Sequence, residues 1–274
     1  MIAIVTDSTA PVTRQEAEKY GICIVPHSYQ VNGTTYLENY TDRNYNYTQR
    51  LTNAGNHTAT NQCTSSAFAV MFEHLLSQGY EVLCIVISSR LSGAWNSAVT
   101  AAREIGGDKI AVVDSLTTAG GLYYQIMRAR ELADTGISLD KLASYCAAQR
   151  SSVGLGFSVE DMHALRRSRR LGPLSQSVTT ILNCRPIFLV QDGTIVYKEL
   201  ARGRANRIRM LSALVPQNAQ RIMVQGFGTM PIASSLAHML QQHFPQIEIQ
   251  RKEVGPVLSI HIGMQALAVS WCLN

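Results

Sequence analysis

Through the first half of the chain, short uninterrupted apolar runs alternate with longer stretches in which apolar residues return every three or four positions. The run Ile2–Val5 reads as a buried strand. Thr13–Gly21 reads as a helix, opened by a Thr13/Glu16 capping box and stopped by Gly21. Ile22–Val25 gives a second strand signal. Phe68, Met71, Phe72, Leu75 and Leu76 follow the i, i+3, i+4, i+7, i+8 spacing of an amphipathic helix. From Glu81 to Gly136, the segments EVLCIVIS, SGAWNSAVTAAREI, KIAVVDS and AGGLYYQIMRARELADTG continue as strand, helix, strand, helix. This alternation predicts parallel strands joined by crossover helices. Between Gln30 and Asn56, a stretch rich in Asn, Thr and Tyr reads as a surface loop and a polar helix.

The pattern changes after about residue 155. RPIFLVQDGTIVYKEL holds two strand-like runs around Asp192-Gly193, a dipeptide suited to a tight hairpin turn. Helix and strand segments follow, and VLSIHIG reads as an apolar strand with His261 at its end. The expectation is therefore an α/β chain of two domains. Residues 1–156 form a Rossmann-like domain with a parallel sheet, and residues 157–274 form an α+β domain with a mixed or antiparallel sheet. No internal repeat interrupts this order.

Composition narrows the class. No window of about 18 uninterrupted apolar residues exists, so no integral membrane segment is expected. The chain starts directly on a strand pattern and carries no secretory-signal pattern. Six cysteines lie far apart with no CxxC pair, which predicts reduced thiols, no metal site and a cytoplasmic location. The net charge of +5 is uneven: Arg150–Arg221 holds 12 Lys/Arg against 4 Asp/Glu. That band suits a solvated surface, or one facing phosphate, nucleic acid or an acidic protein. It contains no aromatic-interleaved basic motif and no DNA-reading helix pattern, so nucleic acid is not an expected partner.

Three places offer chemistry. Asp7, in IVTDST at the end of the first strand, reads first as an Asx turn and second as a metal ligand or a phosphotransferase nucleophile. ISSRLSGAWNSA sets Ser88, Ser89, Ser92 and Gly93 before a helix, where free N–H groups favour an anion. It has neither the lysine of a nucleotide-binding loop nor the GxSxG pattern of a hydrolase elbow. On spacing alone, Ser92 reads equally as a helix cap or as a ligand of a carboxylate. TNQCTSS, from Thr60, reads as a helix cap, and His261 reads as a hydrogen-bonded turn residue. An enzyme acting through Asp7 or Ser92 is the alternative reading, although no base, acid or metal partner stands at fixed spacing.

In combination the motifs resemble a family. IVTDST, TNQCTSSAFAVMFEHLLSQGY, ISSRLSGAWNSA, VVDSLTTAGGL, LNCRPIFLVQDGTI and SIHIG stand in the order and spacing of the DegV family of bacterial fatty-acid-binding proteins, from residue 2 to about 263. The resemblance implies a carrier, not an enzyme; no cofactor is expected, and a monomer is the default expectation. It would bury a long-chain fatty acid and present the carboxylate to a separate fatty-acid kinase for acyl-phosphate formation. It further implies that Thr60, Ser92 and His261 meet the carboxylate. Ser8, Asn61, Gly93 and Ala94 are then expected as neighbours of the pocket or head group, and Arg202, Arg204 and Arg170 as kinase-docking residues. The chain departs from the family pattern in several places. Asn61 and Cys63 replace serine and proline, Ala94 replaces threonine, RRSRRLG lacks paired glycines, and HIGMQA replaces HTGPGA.

Overall fold

A computed structural model of the chain describes residues 1–38, 40–43, 46–54, 57–160, 162–171, 183–227 and 231–273. Asn39, Asn44, Tyr45, Gly55 and Asn56 of the polar stretch, and Gly172 of the arginine run, lie outside the described residues.

Four strands, β1 (Ile2–Asp7), β2 (Ile22–Val25), β6 (Glu81–Val86) and β7 (Ile110–Asp114), form a parallel sheet in the order β2-β1-β6-β7. Between β1 and β2 runs α1 (Arg14–Tyr20), with the expected Thr13/Glu16 capping box and Gly21 at a left-handed φ of 61°. Side chains alternate along each strand, and both faces are apolar because helices cover both. Val5, Val82, Cys84 and Val86 pack under α3 (Ser65–Ser77) and α4 (Ala94–Ile105), against Phe68, Phe72, Ala98 and Ala101. Ile4, Leu83, Ile85 and Val113 pack on the other side against α5 (Ala119–Ala133) and α6 (Leu139–Ala148), through Leu122, Ile126 and Leu142.

The second sheet contains β8 (Val153–Ser158), β9 (Cys184–Gln191), β10 (Thr194–Arg202), β11 (Arg221–Gly226), β12 (Ile249–Glu253) and β13 (Leu267–Cys272), in the order β10-β9-β8-β13-β11-β12. Among the described strand pairs of this sheet, β11–β12 is parallel and the others are antiparallel, so the sheet is mixed. Asp192 and Gly193 have φ of 48° and 77° and turn the expected β9–β10 hairpin. One face is covered by α8 (Gly203–Ala213) and α9 (Pro231–His243), with Leu211, Leu236 and Leu240 over Ile222, Val224 and Leu267. The opposite face receives α5. Every α5 residue from Ala119 to Met127 is buried, because the helix lies between the two sheets. Gly120 permits the approach: its N–H donates to Gln225 Oε1 at 2.9 Å, and a Cβ there would sit 2.5 Å from Ser270 Oγ.

Three differences from the sequence reading have local causes. The polar stretch after β2 holds a hairpin, β3 (Ser28–Val31) and β4 (Thr34–Leu37), before α2 (Tyr47–Ala54) and β5 (Thr58–Asn61). These strands form a small antiparallel sheet in the order β4-β3-β5. Its turn is Asn32-Gly33, with φ of 49° and 81°, the conformation an Asn-Gly pair favours. VLSIHIG is not a strand: Pro256–Ile262 is helix α10, begun by Pro256 and stopped by Gly263 at φ 84°. The last strand is the wholly buried β13, which the sequence reading did not place.

None of the six cysteines, all of them among the described residues, is in a disulfide. Among the described residues, no helix is long and apolar enough to cross a membrane, and no His/Cys/Asp/Glu cluster could hold a metal ion.

Candidate ligand pocket

A pocket of about 460 Å³ opens where the carboxyl ends of the parallel strands meet α10 and the second sheet. Thr9, His27 and Ile87 follow β1, β2 and β6 into its wall, as expected for the strand ends of an open parallel sheet. Leu155, Phe157, Val190, Ile195 and Ala268 supply an apolar side from the second sheet. Val257, Leu258, His261 and Ile262 face it from α10. The volume and the largely apolar lining fit a small organic ligand.

At one end the polar groups are ordered in a single direction. Arg170 Nη1 lies 3.0 Å from His261 Nδ1, and His261 Nε2 lies 2.7 Å from Thr60 Oγ1. A guanidinium only donates, so Nδ1 must accept and the ring proton belongs on Nε2. That proton goes to the Thr60 oxygen, which leaves the Thr60 O–H free to donate into the pocket. Burial, followed by the charges of Arg170, His27 and Arg167, pushes His261 down to about 3, so the ring is neutral at pH 7. Arg170 also donates to Leu91 O at 2.6 Å and to Ser168 O at 3.0 Å, which fastens the α7 (His163–Arg167) exit to the loop before α4.

That loop presents Ser92 and Gly93. Helix α4 starts at Ala94 with Gly93 as its cap and no side-chain cap bond. Ser92 Oγ accepts from Ala94 N at 3.3 Å, and Ser92 N donates to Ser88 O. The Gln62 side chain lies directly over Gly93, where a Cβ would overlap it. Ser88, one turn earlier, donates to Gly193 O at 2.8 Å and ties the β9–β10 hairpin to the tip of β6.

Beneath the pocket sits a wholly buried polar group. Asp7 Oδ1 accepts from Thr9 N and Thr9 Oγ1 at 2.9 and 2.6 Å, Oδ2 accepts from Ile87 N at 2.6 Å, and His27 Nε2 lies 3.4 Å from Oδ1. Burial opposes both charges. The attraction between the two groups, with Thr9 and Ile87 donating to Asp7 and Cys63 beside His27, outweighs it, holding Asp7 below the usual carboxylate range and His27 well above the usual imidazole range. Asp7 is thus the Asx turn of the first reading, and its carboxylate is fully engaged within the fold.

Thr60, Ser92, Gly93 and His261 share the pocket wall, and Arg170 stands half-buried beside them as the partner of His261. Ser8 is buried outside that wall and bonds to Glu38, while Asn61 points to Ser28 at the surface and Ala94 lies inside the core. Arg202 and Arg204 are exposed at the start of α8, apart from the pocket lining. Sequence reasoning did not single out His27, Glu38 or Gln62. His27 and Glu38 carry no local signal, and Gln62 sits inside a segment read as a helix cap.

A family model described as "Uncharacterised protein, DegV family" matches residues 1–274. A DegV domain-containing protein of Listeria innocua is 26% identical over 279 residues, covering 100% of this chain and 99% of the relative. The crystal structure of DegV, a fatty acid binding protein from Bacillus subtilis, superposes with a TM-score of 0.87 at 25% identity, covering 100% of this chain and 99% of that one. The Streptococcus pneumoniae Fatty Acid Kinase (Fak) B3 protein loaded with linoleic acid shares the fold, with a TM-score of 0.84 at 19% identity over 100% of both chains.

Proposed function

The chain belongs to the DegV family, and on that premise we propose that it carries a long-chain fatty acid in the 460 Å³ pocket and offers the carboxylate to a fatty-acid kinase. The observation that carries this reading is the ordered chain Arg170–His261–Thr60, which ends in a free hydroxyl proton at the polar end of an apolar pocket. The Thr60 and Ser92 hydroxyls donate to the carboxylate, and His261 orients Thr60 for that bond. The acyl chain lies along Leu155, Phe157, Val190 and Ile195. Each buried CH₂ adds about 0.8 kcal/mol, so the tail supplies the affinity and the head group needs only satisfied hydrogen bonds. Neutral donors hold the head group without opposing its later modification, which suits a carrier that must hand it over.

Two further points support presentation to a kinase. Arg202 and Arg204 are exposed in a basic band, as a docking surface for an acidic partner requires. The fold is also that of the Fak B3 protein of Streptococcus pneumoniae. The test is native mass spectrometry of the purified protein, followed by extraction and identification of what is released. A stoichiometric long-chain fatty acid, lost in the Thr60→Ala/Ser92→Ala double variant, is the expected result. A protein that neither carries nor takes up fatty acid overturns the reading. Arg202→Glu is expected to weaken acyl-phosphate formation by an added kinase and to leave the bound lipid in place.

A further inference from the structure

The carboxyl group of Glu38, just past β4, is wholly buried and reaches a helix 219 residues further along the chain. Val257 N donates to Glu38 Oε1 at 2.9 Å. Pro256 before it has no N–H, so Val257 supplies the first free donor of α10. Glu38 Oε2 accepts the Ser8 hydroxyl at 2.6 Å, and Ser8 in turn accepts from His27 N at 3.0 Å. A side chain at Gly255 would overlap Glu38 Oε1, so the carboxylate is seated directly against the helix start. The cap residue Gly255 offers no side-chain bond of its own. From this anchor α10 runs into the pocket wall, with His261 one turn beyond Val257, about 6 Å along the axis.

We infer that Glu38 is the positioning residue for the helix that carries His261, and that an anionic head group loaded beside His261 draws a proton onto Glu38. The second half rests on the fatty-acid reading of the pocket. The titratable groups facing Glu38 are Asp7 at the end of β1, His27 before β3, Tyr29 on β3, Tyr47 on α2 and Cys63 before α3. Burial raises Glu38, with Asp7 aiding and the Ser8 bond, His27 and Val257 opposing, to about 7. Asp7 is held low, and His27, Tyr29, Tyr47 and Cys63 are all held high. Glu38 is the member of this group that changes charge near neutrality. A carboxylate bound one helical turn away opposes its ionisation, so binding takes up a proton and affinity falls as pH rises through about 7.

The test compares the ligand-stripped protein with Glu38→Gln, whose amide carbonyl still accepts from Val257 but carries no charge. Fluorescence titration with cis-parinaric acid from about pH 6 to 8.5 is expected to show a loss of affinity roughly five-fold greater for the unaltered protein than for Glu38→Gln. The ionisation of the probe acts equally on both proteins. Equal slopes overturn the proton linkage. Hydrogen exchange at residues 257–263, measured without ligand, decides the positioning role. Glu38→Ala is expected to lose protection there and Glu38→Gln to retain it, and unchanged protection in Glu38→Ala overturns that role. If the unaltered protein binds no fatty acid, the function reading and the linkage fall together, while the exchange result still judges Glu38.

Discussion

Arg170 and His261 are joined in one direction only, with the guanidinium donating to Nδ1 at 3.0 Å and fixing the ring proton on the far nitrogen. Arg170→Met frees the ring to adopt the other tautomer, in which Nε2 takes the Thr60 proton and removes the donor from the pocket. A hydrogen bond to a charged group contributes about 1.5–3 kcal/mol, so fatty-acid affinity is expected to fall at least roughly ten-fold. Arg170→Lys, which also only donates, is expected to recover part of it. Equilibrium titration of the stripped protein measures both, and an unchanged affinity in Arg170→Met removes the relay from the site.

The neutral ring of His261 has a consequence for acid stability. An unfolded chain protonates this histidine near 6.5, whereas the folded one does so only at about 3. Between those values the unfolded state binds more protons, so this contribution to stability is present above 6.5 and is lost as pH falls toward 3. Urea unfolding of the ligand-free protein is expected to show a shallower decline below pH 6.5 for His261→Gln than for the unaltered protein. Coincident slopes would mean the ring is not held neutral.

The Asp7–His27 pair is expected to act on stability. Asp7→Asn leaves a buried imidazolium without its counter-charge, at a cost of about 3–5 kcal/mol. Replacing both partners, as Asp7→Asn with His27→Leu, is expected to recover much of that loss. Denaturant midpoints of the single and double variants give the coupling directly, and additive losses would exclude the pair.

At Gly120 the helix backbone lies against the second sheet, and an added methyl group meets Ser270 Oγ at 2.5 Å and Gln225 Oε1 at 2.8 Å. Gly120→Ala is expected to destabilise the protein by about 1–3 kcal/mol through overpacking, even though alanine is the better helix former. A rise in stability by chemical denaturation would show that the sheet can move away.

How much of this was legible in the sequence depended on how local the cause was. Strands β1, β6 and β7 are continuous apolar runs because helices cover both faces, and the Thr13/Glu16 box and the Asp192-Gly193 turn act within a few residues. The Asn32-Gly33 turn is an equally local signal, but the flanking strands are polar and carry no continuous apolar run to mark them as strands. Helix α10 reads as a strand because its residues are apolar and β-branched; Pro256 and the distant Glu38 decide otherwise. Thr60, Ser92 and His261 could be singled out as chemistry-bearing residues through the family resemblance. The role of Arg170 beside His261 could not, since the two lie 91 residues apart and meet only in the folded chain.

Helix α5 has one more consequence, for how the molecule comes apart. Ala119–Met127 is the inner wall of both large sheets, so neither half keeps a closed core when separated from the other. A fragment ending after α6 would expose one side of this helix, and a fragment beginning at β8 would expose the sheet face it covers. The two halves therefore share one helix as a common core element, which makes the chain a poor candidate for splitting into independently expressed modules.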